Sequence, residues 1–501
     1  MKVIPIPDIQ IPDGKKEFIS SAVTAKPLQP KPVYKPESMN MHQDGGNTGT
    51  VDYPGPLGHN LDVTTALEGV CIILWSKSGQ AVGGYTTIGL SGLKWGLAAL
   101  DSSLKVQTTW FPEVDGQTIN VAYMELMQET DQIILMTKES QIYIVQLLIS
   151  DDGTPHLDQS VTFNLTSTLA PGELLMNAMY DANNNLWFSS SGLHLQGVHG
   201  DDLQNSSTIG YLPSGGTSDM HIMHIENQMI ENSITIKDNI AYVITGPSGE
   251  DDKPNAKGYM YTFGAGSGTS LTTHWKVEYD AGDVKKPGAF ACGSGATPAL
   301  IGDDYIAITD NANDCVNLII YHQNAKEHDD LVVCKLPIFE SGKSNIDIAL
   351  LVQKQDSKYS VFLCNDYNAP ALYYANTTLN DDWNNLTQMS PGVACIDVMS
   401  DGKCELTWEV EDLHIQSVPI ISTKNGLMYG YTQSVKDSLY GNWVWYVVAL
   451  DWETGKEMWR VRTGAGGTYN DDYEPGALGP DGSFFQSVIG GVIRVRDGES
   501  S

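Results

Sequence analysis

The sequence is poor in positive charge, and arginine is its scarcest cation. Of 501 residues, 29 are Lys or Arg and 61 are Asp or Glu, so the formal net charge at pH 7 is −32. Every arginine lies after residue 459, at Arg460, Arg462, Arg494 and Arg496. Because a polyanion is repelled by phosphate backbones and anionic lipid surfaces, we expect neither nucleic acid nor a membrane as a partner.

Long apolar runs and closely paired cysteines are also missing. No uninterrupted apolar segment approaches the roughly 18 residues that a membrane-spanning helix needs. None of the seven cysteines forms a Cys-x-x-Cys pair, which disfavours a thiolate zinc site. The first residues lack the continuous apolar segment of a signal peptide. We nevertheless expect an extracellular or periplasmic protein whose leader has been removed.

In place of amphipathic helices, the chain has short runs of Val, Ile, Leu, Tyr and Trp separated by turns such as Asp-Gly and Asn-Gly. This pattern is typical of an all-β protein. Two such runs flank a tight turn most clearly at residues 233–244, 297–308, 418–431 and 476–488. Four strands in about 40–50 residues is the repeat of a β-propeller blade.

The repeat predicts the number of blades. Seven complete units lie near residues 62–112, 119–165, 173–212, 229–279, 293–338, 343–411 and 415–464. An eighth, at 474–497, contains only three strands. Residues 1–60 are rich in proline and glycine and read as an extended arm that can supply the missing strand. We therefore predict one eight-bladed propeller over residues 61–498, closed by the N-terminal arm, with seven blades as the alternative.

One repeat carries a recognisable motif. Ala449-Leu450-Asp451, followed by Thr454-Gly455-Lys456 and Trp459, resembles the tryptophan-docking repeat of PQQ-like, quinoprotein dehydrogenase-type propellers. The resemblance implies that the Asp and the Thr-Gly pair shape a turn while the Trp lies between blades. Over about residues 225–498, the chain is similar to secreted, uncharacterised bacterial propeller proteins of this superfamily.

The same resemblance raises the question of a cofactor. PQQ enzymes of the superfamily hold their quinone with Ca²⁺ and often with a vicinal disulfide. This sequence has no Cys-Cys pair and no arginine before residue 460 to meet the quinone carboxylates. These departures disfavour PQQ and leave Ca²⁺ as the candidate cofactor.

Propeller topology predicts where polar residues meet. The loop before each inner strand and the loop after the second strand reach the same rim of the central channel. Carboxylates and amides from four units fall at these positions. We predict Asp310, Asp366 and Asp471 as catalytic residues; Asn232, Asn311, Asn365, Tyr367, Asn470 and Tyr473 as ligand contacts; and Glu231 with Asp310 as metal ligands. Carboxylate and amide oxygens suit Ca²⁺. The alternative is that these residues only cap strands and form turns.

Crowded carboxylates also raise the pKa of one of their number and so create a general acid or base. The sequence therefore favours a small-molecule-binding propeller, and a non-redox enzyme of the lyase, isomerase or hydrolase type. Two alternatives stay open: a PQQ- and Ca²⁺-dependent dehydrogenase, and a non-catalytic interaction scaffold. His42, in the arm, could cap the channel or serve only in packing.

The cysteines leave their pairing open. Cys315 and Cys334, and likewise Cys395 and Cys404, are expected in neighbouring outer strands of single blades. Each pair could form a disulfide or remain as two buried free thiols.

Overall fold

The computed structural model describes residues 18–66, 69–89, 92–114, 116–191, 206–214, 220–266, 271–324, 330–372 and 378–498. These residues form eight mainly antiparallel sheets arranged as an eight-bladed β-propeller, which confirms the predicted fold class. Within this part of the chain, no helix has the length and apolar character needed to cross a membrane.

Blades 1 to 7 are each a meander of consecutive strands that runs from the inner edge to the outer edge, and blade 8 takes its outer strand from near the start of the chain. Blade 1 consists of Val70–Trp75, Ala81–Gly89, Gly92–Leu100 and Val106–Trp110, and blade 2 of Ile119–Met127, Gln132–Thr137, Gln141–Ile149 and Pro155–Asn164. Blade 3 consists of Leu174–Tyr180, Leu186–Ser191, Ser206–Leu212 and His221–Glu226. Blade 4 has Gln228–Met229 and Thr235–Lys237 at its inner edge, followed by Ile240–Pro247, Lys257–Gly264 and Thr272–Asp280.

Blade 5 consists of Ala299–Ile301, Tyr305–Thr309, Asn317–His322 and Val332–Pro337, and blade 6 of Leu351–Lys354, Lys358–Cys364, Val393–Met399 and Cys404–Val410. Blade 7 consists of Ile420–Ser422, Leu427–Gln433, Val444–Asp451 and Glu457–Ala465. Blade 8 consists of Gly476–Leu478, Phe484–Val488, Gly491–Arg496 and Asp62–Ala66. The described helical turns are Val435–Ser438 and the 3₁₀ segments Gly249–Asp251, Asp382–Asn384, Leu386–Gln388 and Gly467–Tyr469.

The core lies between the faces of neighbouring blades. Because both faces of a blade are covered, the strand Val444–Asp451 is buried at every position. Aromatic residues connect adjacent blades: the Trp110 ring lies 5.4 Å from that of Tyr143, centroid to centroid, in the next blade. The Trp275 and Tyr321 ring centroids are 5.9 Å apart across another blade boundary.

The turn in the recognisable repeat has the predicted geometry. Asp451 Oδ1 accepts hydrogen bonds from the Thr454 backbone N–H over 3.1 Å and from the Thr454 hydroxyl over 2.8 Å. Gly455 follows with φ +69°, a conformation that glycine adopts without steric cost. A Cβ at Gly455 would overlap the ring of Trp408 from the preceding blade. The turn thus fits closely against the neighbouring blade.

The ring is closed by a strand that lies just after the predicted arm. Asp62–Ala66 pairs with Gly491–Arg496, so that Asp62 faces Arg496 and Ala66 faces Val492. The sequence assigned residue 62 to the first blade and closure to residues 1–60. Turn residues flank this short strand on both sides, so the local sequence does not show to which blade it belongs. Its blade is determined by its pairing partner, which lies more than 400 residues away in the sequence. The third blade likewise extends to Glu226, beyond the predicted end at 212.

Residues 38–51 of the arm, which we term the channel segment, run through the middle of the ring and are buried throughout. Ser38–Met39 pairs with the inner strand of blade 2, and Thr50–Val51 pairs with the inner strand of blade 7. Between them, carbonyls of the segment accept backbone hydrogen bonds from other inner strands, in the pairs Ile236 to Gly45, Leu300 to Gly46 and Val352 to Thr48. The channel is therefore occupied by the protein's own chain.

A disulfide joins two blades at their outer edges. Cys334, in Val332–Pro337, is bonded to Cys404, in Cys404–Val410, with a Cα–Cα distance of 6.2 Å. Neither of the within-blade pairs considered from the sequence forms. The strand register explains this, because Cys404 faces Val398 rather than Cys395. Cys315 and Cys395 are free thiols.

Candidate functional site

A small cavity lies at one end of the central channel, where the loops that precede the inner strands meet. The channel segment forms the bottom of this cavity. We term this cavity, of about 80 Å³, the channel pocket. Its described lining comprises Met41, His42, Ile72, Ala122, Tyr123, Glu231, Asn232, Phe290, Thr297, Asp347, Ala349, Val418, Asp472, Tyr473 and Glu474. Four of these residues are carboxylic acids, and none is Lys or Arg.

Two of the acids, Glu231 and Asp347, form an interacting pair. Asp347 Oδ2 accepts a hydrogen bond from the Phe290 backbone N–H over 2.8 Å. Glu231 Oε1 is buried and has no hydrogen-bond partner within the described chain. The two carboxyl groups therefore sit in one pocket with different surroundings.

Their pKa values follow from this difference. Burial raises the pKa of Glu231 well above its ordinary value, and the charge of Asp347 raises it further. Burial also raises the pKa of Asp347, to about 6, while the hydrogen bond from Phe290 opposes the rise. Burial and the charge of Asp347 thus favour the protonated form of Glu231, whereas Asp347, with a pKa of about 6, is mainly ionised at pH 7. Pairs of carboxyl groups whose surroundings separate their pKa values are typical of acid–base sites.

A second acidic segment enters from the loop before blade 8. Burial raises the pKa of Asp472 to about 7; burial and the charge of Asp472 raise that of Glu474 to about 8. Asp472 Oδ1 accepts a hydrogen bond from the Leu372 backbone N–H over 2.9 Å, so the long loop after residue 368 reaches the site. Asp472 and Tyr473 both have positive φ, at 42° and 68°, and such strained non-glycine residues cluster at functional sites.

Aromatic rings form one side of the pocket. The rings of Phe290 and Tyr473 are 5.0 Å apart, centroid to centroid, and inclined by 58°. The Tyr123 hydroxyl donates a hydrogen bond to Asn232 Oδ1, and Asn232 Nδ2 donates to the Gly295 carbonyl. Asn232 therefore anchors the Tyr123 ring.

His42 forms part of the pocket floor. Its Nε2 lies 3.2 Å from the Thr297 hydroxyl, and its Nδ1 has no partner in the described residues. Burial lowers the pKa of His42 to about 4, so the imidazole is neutral at pH 7. His42 therefore lines the channel pocket, and its ring is also packed in the interior of the protein.

The structure brings together only some of the predicted site residues. Glu231, Asn232 and Tyr473 line the pocket. Asp366 lies directly behind Asp347, whose backbone N–H donates to Asp366 Oδ2 over 2.7 Å. Asp471 is fully buried beside the pocket-lining Asp472, and neither of its carboxylate oxygens has a partner in the described chain.

Other predicted residues serve the surrounding framework. Asp310 accepts hydrogen bonds from Asn317 and forms an ion pair with Lys335 over 2.8 Å. It is not one of the described pocket-lining residues. Asn311 Nδ2 donates to the Ala281 carbonyl.

The remaining three lie in loops. Asn365 Nδ2 donates to the Lys343 carbonyl, and Asn365 Oδ1 accepts from the Tyr367 backbone N–H. Asn470 Nδ2 donates to Asn384 Oδ1. None of the three is a pocket-lining residue. These contacts match the strand-capping alternative.

Sequence reasoning missed Asp347, Tyr123 and Phe290. Asp347 and Phe290 precede inner strands, as Glu231 does, so the same positional rule could have found them. Tyr123 lies within an inner strand and carried no comparable signal.

The channel pocket can be compared with the requirements of the two candidate cofactors, PQQ and Ca²⁺. An acidic pocket without a lining Lys or Arg does not fit the carboxylates of PQQ, and we derive no chemistry through it. Among the described residues, no three His, Cys, Asp or Glu side chains are grouped to hold one metal ion. Ca²⁺ binding by Glu231 and Asp310 stays a prediction.

No family model matches the chain. An uncharacterised protein of Archaeoglobus fulgidus is 24% identical over 252 residues, which cover 46% of this chain and 46% of the relative's length. Membership of the PQQ-like superfamily therefore stays a prediction.

The chain is also similar to several solved structures, of which three follow. The WD40 domain of SCAP from fission yeast is 12% identical, with a TM-score of 0.44, and covers 88% of this chain and 96% of its own. The Dos1 propeller is 10% identical, with a TM-score of 0.45, over 88% and 94%. Sqt1 from Chaetomium thermophilum is 9% identical, with a TM-score of 0.48, over 88% and 98%.

Proposed function

We propose that this protein is a small-molecule-binding propeller that carries out non-redox acid–base chemistry in the channel pocket. The observation that carries the proposal is the Glu231 and Asp347 pair. Both acids line one small cavity; Asp347 Oδ2 accepts a hydrogen bond from the Phe290 backbone N–H, whereas Glu231 Oε1 is buried without a partner in the described chain. The reaction class is that of a lyase, isomerase or hydrolase.

In this proposal, Asp347 is the general base and Glu231 the general acid. An ionised Asp347 accepts a proton from the substrate, and a protonated Glu231 donates one to the group that gains negative charge. Proton transfer by positioned groups contributes typically 10²–10⁴-fold to a reaction rate. Tyr123 and Tyr473 contact the substrate along the aromatic side of the pocket, and Asp366 positions Asp347 from behind.

The test is ligand capture by the whole protein. Wild-type protein is incubated with a metabolite extract, and retained compounds are identified by native mass spectrometry. Ala122→Leu places a larger side chain in the pocket, whereas Ala182→Leu makes the same change in an exposed turn. We expect retention by wild type and Ala182→Leu and its loss in Ala122→Leu. Equal retention by all three would place binding elsewhere and refute the proposal.

We also propose an extracellular or periplasmic location, supported by the Cys334–Cys404 disulfide. Disulfides persist in oxidising compartments and are rare in the cytosol of mesophiles. Fractionation of the native source followed by immunodetection tests this, and recovery only in the cytosol would contradict it.

A further inference from the structure

The channel pocket presents hydrogen-bond acceptors without donors to match them. Glu231 Oε1 and Glu474 Oε2 are buried and have no partner in the described part of the chain, and the Glu231 residue is only 6% exposed. His42 Nδ1 is a third polar atom at the pocket without a partner. Burying a polar group without a partner is energetically unfavourable, so a ligand that brings N–H donors is favoured here.

The charge of the pocket points the same way. Glu231, Asp347, Asp472 and Glu474 line it, and the described lining contains no cationic side chain. Lys285 and Lys286 lie outside this lining, but the charges of both lower the pKa of Asp347, and Lys286 Nζ donates to the Ser344 carbonyl over 3.0 Å. An ammonium group inside the pocket would add a direct ion pair with Asp347, which is mainly ionised at pH 7.

The other walls suit the carbon part of such a ligand. Tyr123, Phe290 and Tyr473 line the pocket, and aromatic faces attract ammonium groups. Met41, Ile72 and Val418 provide an apolar surface on the remainder of the lining.

We propose that the channel pocket binds a small primary ammonium compound, with its NH₃⁺ group at Glu231 and Asp347 and its carbon chain along the aromatic and apolar walls. This inference rests on the proposed function and names its substrate class. A quaternary ammonium brings charge but no N–H donor. A metal ion would need a group of ligands that the described carboxylates do not form.

Isothermal titration calorimetry with matched probes tests the inference. The probes are butylammonium, tetramethylammonium, 1-butanol, butyrate and Ca²⁺. Glu231→Gln removes one of the two carboxyl groups at the proposed ammonium site, and Glu278→Gln makes the same substitution at an exposed position in the outer strand of the same blade. We expect butylammonium to bind roughly ten- to a hundredfold more tightly than 1-butanol. Glu231→Gln should weaken butylammonium binding by at least about tenfold, and Glu278→Gln should leave it unchanged.

Several results would overturn the inference. They are equal binding of 1-butanol or butyrate, equal binding of tetramethylammonium, displacement of butylammonium by equimolar Ca²⁺, and unchanged binding in Glu231→Gln. If Glu231→Gln does not fold, the wild-type probe series alone decides. Should no ammonium probe bind while the metabolite extract still yields a compound lost in Ala122→Leu, only this inference falls. If neither experiment yields a ligand, the proposed function falls with it.

Discussion

The buried carboxylate of Asp366 accepts a hydrogen bond from the backbone N–H of Asp347 over 2.7 Å. Its other oxygen accepts from Asn345 Nδ2, also over 2.7 Å. Asp366 follows the second strand of blade 6, whereas Asp347 precedes the inner strand of the same blade. One carboxylate thus ties together the two loops that meet at the rim, and it fixes the backbone that carries Asp347.

Asp366→Asn should destabilise this arrangement. The amide has one acceptor oxygen for two donors, so one buried N–H loses its partner. We expect the free energy of unfolding to fall by about 1–3 kcal/mol in urea denaturation. Asp151→Asn, at an exposed turn, is the matched control and should be neutral. Identical unfolding curves for Asp366→Asn and wild type would show that Asp366 does not hold the loop.

The buried acids also predict how stability depends on pH. The folded-state pKa values of Asp347, Asp472 and Glu474 are raised to about 6, 7 and 8. An acid whose folded pKa lies above its unfolded value stabilises the fold fully below the unfolded pKa. That stabilisation is lost as pH rises through the folded value. Each unit of difference corresponds to about 1.4 kcal/mol per group, so the melting temperature should fall between pH 5 and pH 8.

Glu474→Gln provides the control for this prediction. It removes one of the raised pKa values and should therefore flatten the decline in melting temperature between pH 5 and pH 8. Glu405→Gln, at an exposed outer-strand position, should leave the slope as in wild type. A melting temperature that rises from pH 5 to pH 8 would contradict the burial of these acids in their neutral forms.

The blade architecture could be predicted from the sequence because it depends on local signals. The hairpins at residues 418–431 and 476–488 each place a tight turn between two apolar runs, and the structure has both. The closing strand, Asp62–Ala66, was assigned to the wrong blade because its neighbour lies at the other end of the chain. The five residues of this strand contain no signal that identifies a partner so distant in the sequence.

The pocket was accessible to sequence reasoning only in part. The rule that loops before inner strands reach one rim placed Glu231 and Tyr473 where the structure has them. It gave no sign that Asp310 would be bound by Lys335, because that contact depends on side-chain directions in the folded blade. Nor could it show that the channel segment fills the channel and brings His42 to the pocket floor.

The disulfide between blades 5 and 6 makes a separate prediction. Alkylation of the denatured, unreduced protein should modify five thiols, those of Cys71, Cys292, Cys315, Cys364 and Cys395. Replacing both Cys334 and Cys404 with Ser should lower the free energy of unfolding by about 2–4 kcal/mol. Cys315→Ser is the control that leaves the disulfide intact. Seven modified thiols in freshly purified, unreduced protein would refute the bridge.

The packing of the channel segment against blade 6 can be tested at a single glycine. Gly49 has φ +62°, and a Cβ there would overlap the Leu351 side chain. Gly153 has φ +85° with no atom within 4 Å of such a Cβ. Gly49→Ala and Gly153→Ala therefore carry a similar backbone cost, but only the first forces atoms together. We expect Gly49→Ala to lower the free energy of unfolding by roughly 1–3 kcal/mol more than Gly153→Ala in urea denaturation.

Gly49→Ala should also weaken ligand binding in the channel pocket, because the Gly49 N–H donates to the His42 carbonyl. Equal costs for the two variants would mean that residues 38–51 do not pack inside the ring.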